Sequence, residues 1–397
     1  MSNLILRNVR PMGGETTDIL IQDGKIAQIG QIGDHPGMAV EDGGNAILWP
    51  GLIDAHTHLD KTTWGMDWHV NNRAAILRER IDYEREMRLE LGLDPHRQSM
   101  RHAIGLAAHG ASHIRSHVDI DTTHGLRLVE GVQQTREKLK GIIDIEIVAF
   151  PQSGVMVMPG TVELLDEALA NGCEVLGGID PCGIDRDPKG QLDILFDLAV
   201  KHGKPIDIHL HEGGELGAFT MELIFERVRA NTMQGQFVIS HAFALGMNDH
   251  LRVGKLIEEI AELDIGIATT GAPSATVPSV KRLRDAGVRI GAGCDGIRDT
   301  WGPWGLPDMM DRARIIGMKN GVRSDDDLRH MLEIVSQGGA DLMRLQDYGL
   351  AVGCQADVTL LQGQTVSHAV VQPSLPPLVI KGGRVIARAG QCIVEMP

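Results

Sequence analysis

The stretch GLIDAHTHLDKT, Gly51 to Thr62, follows directly on the apolar run AILWP. In an extended chain residues i and i+2 point to the same side, so His56, His58 and Asp60 form one polar row at a strand end. Such a row can bind a metal ion. Beyond it, short β-rich runs alternate with helical patterns, the signature of βα units around a parallel sheet. Eight candidate strands result: AILWPGLIDAHTH, ASHIRSHVDI, IEIVAFPQ, EVLGGIDP, PIDIHLHE, QFVISHA, IGIATTG and VRIGAGCD. The helical patterns between them include RAAILRERIDYEREMRLEL, DILFDLAVKHG and MELIFERVRA.

Eight such units make a TIM-like (β/α)8 barrel, an α/β fold whose active sites lie at the C-terminal ends of the strands. The unusual polar residues sit at those ends: His56 and His58 on the first strand, His117 on the second, Gln152 on the third and Asp180 on the fourth. His209 and Glu212 follow on the fifth, His241 on the sixth and Asp295 on the eighth. Histidines scattered over a surface would have no reason to respect strand ends.

Both termini read differently. LILRNVR and TDILIQDGKIAQIG alternate apolar and polar residues around Asp23-Gly24, a two-residue hairpin signal. ADVTLLQG and LVIKGGRVIARAG repeat the idiom with Gly382-Gly383 at the turn. The expected organisation is a barrel over residues 51–345 and one small β-sandwich domain built from residues 1–50 and 346–397.

Composition bounds the function. With 43% apolar and 23% charged residues, and no apolar run near the ~20 residues that span a bilayer, a soluble cytoplasmic protein is expected, without a membrane partner. The N-terminus lacks the pattern of a secretory signal. A net charge of −15 opposes binding to a phosphate backbone, so any nucleobase handled here is a free small molecule, not part of a nucleic-acid polymer. Five cysteines without a CxxC pair support neither a disulfide framework nor a thiolate metal cluster.

Taken together, His56, His58, His209 and Asp295 offer N and O ligands from different strands, the way a catalytic divalent-metal site is made. Imidazole with carboxylate suits zinc or iron, and manganese is admissible. Asp295 could equally be a turn or capping residue, and Asp54 and Asp60 read as supports rather than ligands. Glu212, three residues beyond His209, could carry protons to a substrate nitrogen or be a hydrated rim residue. His241 reads as a further ligand or a group polarising water.

Through PGLIDAHTHLDKT, HIRSHVDID, IVAFPQSG, GGIDP, IDIHLHEGG, ISHA and CDGIRDTWGPWG the chain resembles the amidohydrolase superfamily. Within it the likeness is to the cytosine deaminase branch, which includes the N-isopropylammelide amidohydrolases. The resemblance implies one metal ion held by His56, His58, His209 and Asp295. It also implies that Gln152 reads the edge of a heterocycle, Glu212 shuttles protons, His241 orients the water, and Trp301 walls the pocket. Asp295 would also accept a proton from the attacking water.

The implied reaction is hydrolytic deamination of a free pyrimidine base, cytosine or a 5-substituted cytosine, with an amino-triazine amidohydrolase or other cyclic amidine deaminase as the alternative and a silent barrel scaffold as a third reading. Relatives assemble, so a homo-oligomer is implied. One departure bears on substrate: where cytosine deaminases place a second acid after the metal-binding Asp, this chain has Gly296. That glycine is expected to free space and remove charge beside the ring, admitting 5-methylcytosine. Trp304, His117 and Asp180 keep open roles, and Cys294 reads as packing.

Overall fold

The computed structural model describes residues 3–70 and 76–397. Eight parallel strands pair in chain order: β1 (Leu52–Thr57), β2 (Ala111–Asp119), β3 (Asp144–Phe150), β4 (Val175–Ile179), β5 (Ile206–His209), β6 (Phe237–Ser240), β7 (Gly266–Thr269) and β8 (Ile290–Ala292). Nearly all their residues are buried, as expected of a parallel sheet whose outer face is covered by helices. Helices such as Pro95–Ala108 after β1, Arg127–Lys138 after β2 and Gly214–Ala230 after β5 supply that cover.

Among the described residues no regular ladder joins β8 to β1. Closure comes from a parallel bridge between Thr57 and Asp295, with the Asp295 N–H donating to His56 O at 2.8 Å. A Cβ on Gly293 would lie 2.2 Å from His56 O and 2.5 Å from His56 N, so glycine lets the two backbones meet. Gly293→Ala is therefore expected to cost about 1–3 kcal/mol of unfolding free energy, read by urea denaturation, and an unchanged midpoint would contradict this close approach.

The run AILWPGLIDAHTH, expected as one strand, is two. Ile47–Pro50 belongs to the terminal sheet and Leu52–Thr57 to the barrel. Gly51 is the crossing point, where a Cβ would meet Ser112 Oγ at 2.5 Å. Its N–H donates to Asp357 O at 2.8 Å and its carbonyl accepts from the Tyr348 hydroxyl at 2.7 Å.

The termini join in one mixed nine-stranded sheet in which Ile47–Pro50 lies between Val358–Leu361 and Leu4–Pro11. Asp23 and Gly24, at φ 51° and 80°, make the expected hairpin turn. Leu6, Ile19 and Ile21 share one buried cluster with Leu48, Val358 and Ile380, so the two halves of this sheet pack on each other. Among the described residues no helix is long and apolar enough to cross a membrane.

In the β1 connection lies helix Leu77–Glu90, ahead of Pro95–Ala108. The first part of the helix expected from Arg73, residues 73–75, lies outside the described residues.

Candidate metal centre and substrate pocket

The strand ends bring the expected ligands together. His58 Nε2 lies 3.3 Å from His209 Nε2 and 3.4 Å from Asp295 Oδ1, which is 3.8 Å from His56 Nε2. Donors bonded tetrahedrally to one ion at about 2.0–2.1 Å stand about 3.4 Å apart, so this set fits a divalent ion. The hydrogen bonding agrees. His58 Nδ1 donates to His117 O at 3.1 Å, which leaves Nε2 with its lone pair. Both ring nitrogens of His56 and of His241 are buried without a protein partner among the described residues.

Burial governs the protonation of these imidazoles. It pushes His56 down to about 3 against the pull of Asp295, and holds His209 and His241 well below the ordinary histidine range. Burial alone would raise Asp295, but its bond to His58 and the surrounding imidazoles hold it well below the usual carboxylate range. A carboxylate facing neutral imidazoles is the state a divalent cation needs.

Three site residues take left-handed backbone: Asp180 at φ 33°, His241 at 69° and Asp295 at 61°. Non-glycine residues rarely adopt this region, and such strain concentrates at functional sites. Each stands just past a strand end, where the turn aims its side chain back over the barrel mouth.

The expected substrate residues line a cavity of 220 Å³ with Lys61, Gln152, Asp295, Gly296, Asp299 and Trp301 among its walls. Gln152 is held at both ends of its amide: Nε2 donates to Glu84 Oε2 at 2.7 Å and Oε1 accepts from Lys61 Nζ at 2.8 Å. Trp301 donates its indole N–H to Glu84 and so stands fixed as a wall. Behind them Glu84, Asp119 and Asp60 meet Lys61 and Arg88, all of them buried. Burial would lower the Lys61 pKa, yet Asp119 and Glu84 raise it.

A second cavity of 640 Å³ shares His211, Asp295 and Trp301 with the first. Leu77, Ile184 and Phe243 give it apolar walls, while Glu212, His241 and Arg78 are polar ones. Glu212 is anchored by three donors: Cys182 N at 2.8 Å, Gly183 N at 2.9 Å and Thr220 Oγ1 at 2.5 Å. Burial raises its pKa although those donors oppose the rise.

Several residues with open roles are now placed. Asp180 accepts from the His211 ring at 2.7 Å and from the His211 N–H at 2.7 Å, so it positions the loop after β5. His117 is fully buried beneath His56, with ring centroids 4.3 Å apart. Asp54 accepts from Cys294 N at 3.0 Å and pins the approach to Asp295. Asp60 bonds Arg88 at 2.8 Å, and Trp304 is 84% exposed.

The expectation for Gly296 needs correction. A Cβ there would come within 1.8 Å of Asp299 Oδ2, so the space is filled by another carboxyl rather than left free.

Residues missed from the sequence are Lys61, Glu84, Arg88, Asp119, His211 and Asp299. The i, i+2 logic that paired His56 with His58 also pairs His209 with His211 and would have found it. Lys61 stands in the opening motif itself, whereas nothing local marks Glu84 and Arg88 as inward-facing.

A parallel barrel carrying three histidines and an aspartate at the mouth, beside a polar cavity, defines a metal-dependent hydrolase of the barrel class. Residues 39–387 match the amidohydrolase family, and the chain belongs to it. It acts as a hydrolase on C–N bonds. It is 31% identical over 356 residues to N-isopropylammelide isopropyl amidohydrolase of Pseudomonas sp. strain ADP, covering 86% of each chain.

Among solved structures it superposes on N-isopropylammelide isopropylaminohydrolase from Burkholderia multivorans with TM-score 0.96 and 44% identity, over 99% of this chain and 100% of that one. It also superposes on 5-methylcytosine deaminase from Klebsiella pneumoniae liganded with 5-fluorocytosine, with TM-score 0.85 and 26% identity, over 98% of each.

Proposed function

We propose that this protein hydrolyses the exocyclic C–N bond of an N-alkylamino, dioxo s-triazine of the N-isopropylammelide kind, releasing the alkylamine. The observation that carries this reading is the pair of cavities meeting at Asp295, His211 and Trp301. The smaller is sized for a ring and has Gln152 and Asp299 in its walls, with the second N–H of Gln152 Nε2 to meet a ring carbonyl. The larger offers Leu77, Ile184 and Phe243 to an alkyl group on the departing nitrogen. A bare amino group, as in cytosine, has no use for that apolar chamber. The 44% identity to the Burkholderia protein, against 26% to the 5-methylcytosine deaminase, supports the same choice.

His56, His58, His209 and Asp295 would hold the divalent ion, which supplies Lewis-acid activation of water. The chain does the rest. Water oxygen bonds to the ring carbon, the C–N bond breaks, and the amine leaves with one added proton while the ring gains a carbonyl. The water gives up two protons: one reaches the ring nitrogen through Glu212, and the other is taken by Asp295 and passed to the departing amine nitrogen, over which His211 stands, held by Asp180. Trp301 and Gln152, the latter held by Lys61 and Glu84, keep the ring in register.

The test is amine and ammonia release by metal-reconstituted protein with N-isopropylammelide, cytosine and 5-methylcytosine. Isopropylamine release with a kcat/KM at least about tenfold above either pyrimidine is expected, since pocket fit discriminates on that scale. Preferential ammonia release from a pyrimidine would restore the deaminase reading.

A further inference from the structure

We infer that Asp299 is a specificity-determining residue that accepts a hydrogen bond from a ring N–H of the substrate, and that Gly296 is what admits it to the pocket. Deepening the triazine reading, the inference rests on it for the identity of the ring. Gly296 follows the ligand Asp295 and does not have a left-handed φ, so a side chain is conformationally allowed there. Its absence has a local consequence. A Cβ at 296 would stand 1.8 Å from Asp299 Oδ2 and 2.9 Å from Asp299 Cγ, so Asp299 can occupy its present place only while residue 296 is glycine.

The carboxyl is also built into position. Asp299 Oδ1 accepts from Trp301 N at 2.8 Å and Gly302 N at 3.1 Å, and the Asp299 N–H donates to Gly302 O at 3.2 Å. Both lone pairs on that side are thereby used within one tight turn. Asp299 is only 6% exposed, and the hydrogen bonds it accepts from described residues both fall on Oδ1, so Oδ2 keeps its accepting capacity for a ligand in the cavity that Asp299 lines.

Gly296, Asp299, Lys61 and Gln152 all line the same cavity. Gln152 Nε2, which gives one N–H to Glu84, has a second donor to offer, Asp299 offers an acceptor, and this pattern complements a ring –C(=O)–NH– unit, which a dioxo triazine presents. Burial, with Glu84 adding to it, pushes Asp299 up to about 7, so the unprotonated, accepting form gains as pH rises through that value.

Three variants test this with N-isopropylammelide as substrate and cyanuric acid, its hydrolysis product, as a calorimetric probe. Asp299→Asn keeps the Oδ1 bonds to the turn and puts an N–H where Oδ2 accepts. It is expected to lose about a hundredfold in kcat/KM, mostly through KM, and to weaken cyanuric acid binding while bound metal is unchanged. Asp299→Gly is expected to lose as much. The exchange Gly296→Asp with Asp299→Gly moves the carboxyl to residue 296 and is expected to recover at least tenfold over Asp299→Gly alone.

An Asp299→Asn protein within twofold of the parent in both KM and cyanuric acid binding overturns the assignment while the triazine reading stands. A parent that neither turns over N-isopropylammelide nor binds cyanuric acid overturns both.

Discussion

Asp295→Asn is expected to lose at least about a thousandfold in kcat/KM and to retain less metal, as elemental analysis of the purified protein will read. The size follows from two roles falling on one carboxylate. Asp295 Oδ1 is the sole anionic donor in a set otherwise made of neutral imidazoles, 3.4 Å from His58 Nε2 and 3.8 Å from His56 Nε2. It is also the group placed to take a proton from the attacking water.

Asparagine isolates these roles from the fold. The barrel closure at this residue uses its backbone, with Asp295 N donating to His56 O at 2.8 Å and its carbonyl accepting from Thr57 Oγ1 at 2.8 Å. Asparagine also tolerates the left-handed φ of 61° found here. The melting temperature of metal-free protein should therefore stay close to that of metal-free parent. Near-parental turnover by Asp295→Asn would remove Asp295 from the site.

What the sequence revealed and what it hid divide along a physical line. The eight strands were visible because each is a short aliphatic run closed by a polar residue, and the candidate ligands because they sit at those closures. The terminal hairpin was visible because Asp23-Gly24 supplies two positive φ values in a row. Helix Pro95–Ala108 was passed over although Asp94 caps it, accepting from Arg97 N at 2.7 Å, with Pro95 in the first turn; the signal was present and unread.

The substrate wall is another matter. Glu84 and Arg88 sit in RERIDYEREMRLE, a segment whose charges point every way round the helix, and no periodicity separates the two that turn inward. Asp299 was hidden for a related reason. Its entry into the pocket depends on the missing side chain of Gly296, a close approach of the Asp299 carboxyl to the Gly296 backbone that spacing alone does not encode.

Arg88→Met is expected to lower the unfolding free energy by about 3–5 kcal/mol near neutral pH, the cost of leaving buried charges without their partner. Arg88 Nη1 bonds Asp60 at 2.8 Å, and Nη2 bonds both Glu84 and Asp119 at 2.6 Å. Removing it leaves three buried carboxyls facing Lys61 alone.

The loss should be local as well as global. In helix Leu77–Glu90 the buried residues are Ile81, Glu84 and Arg88, so the helix is docked largely by charge. Limited proteolysis should therefore cut it faster in the variant. Catalysis should fall in parallel, because Glu84 holds Gln152 at 2.7 Å and receives the Trp301 indole.

The pH dependence has a definite sign. Burial opposes it, but Lys61 and Arg88 hold Glu84 below the usual carboxylate range in the folded parent. A depressed folded pKa contributes stability that is present above the unfolded value, about 4.3, and is lost as pH falls towards the folded one. The gap between parent and Arg88→Met should accordingly be widest at neutral pH and narrow below about pH 4.3. Arg88→Lys restores one charge without the planar fork that bonds three carboxyls, so it should recover only part of the loss. Urea midpoints for Arg88→Met equal to the parent at pH 7 would show that the cluster does not hold the helix.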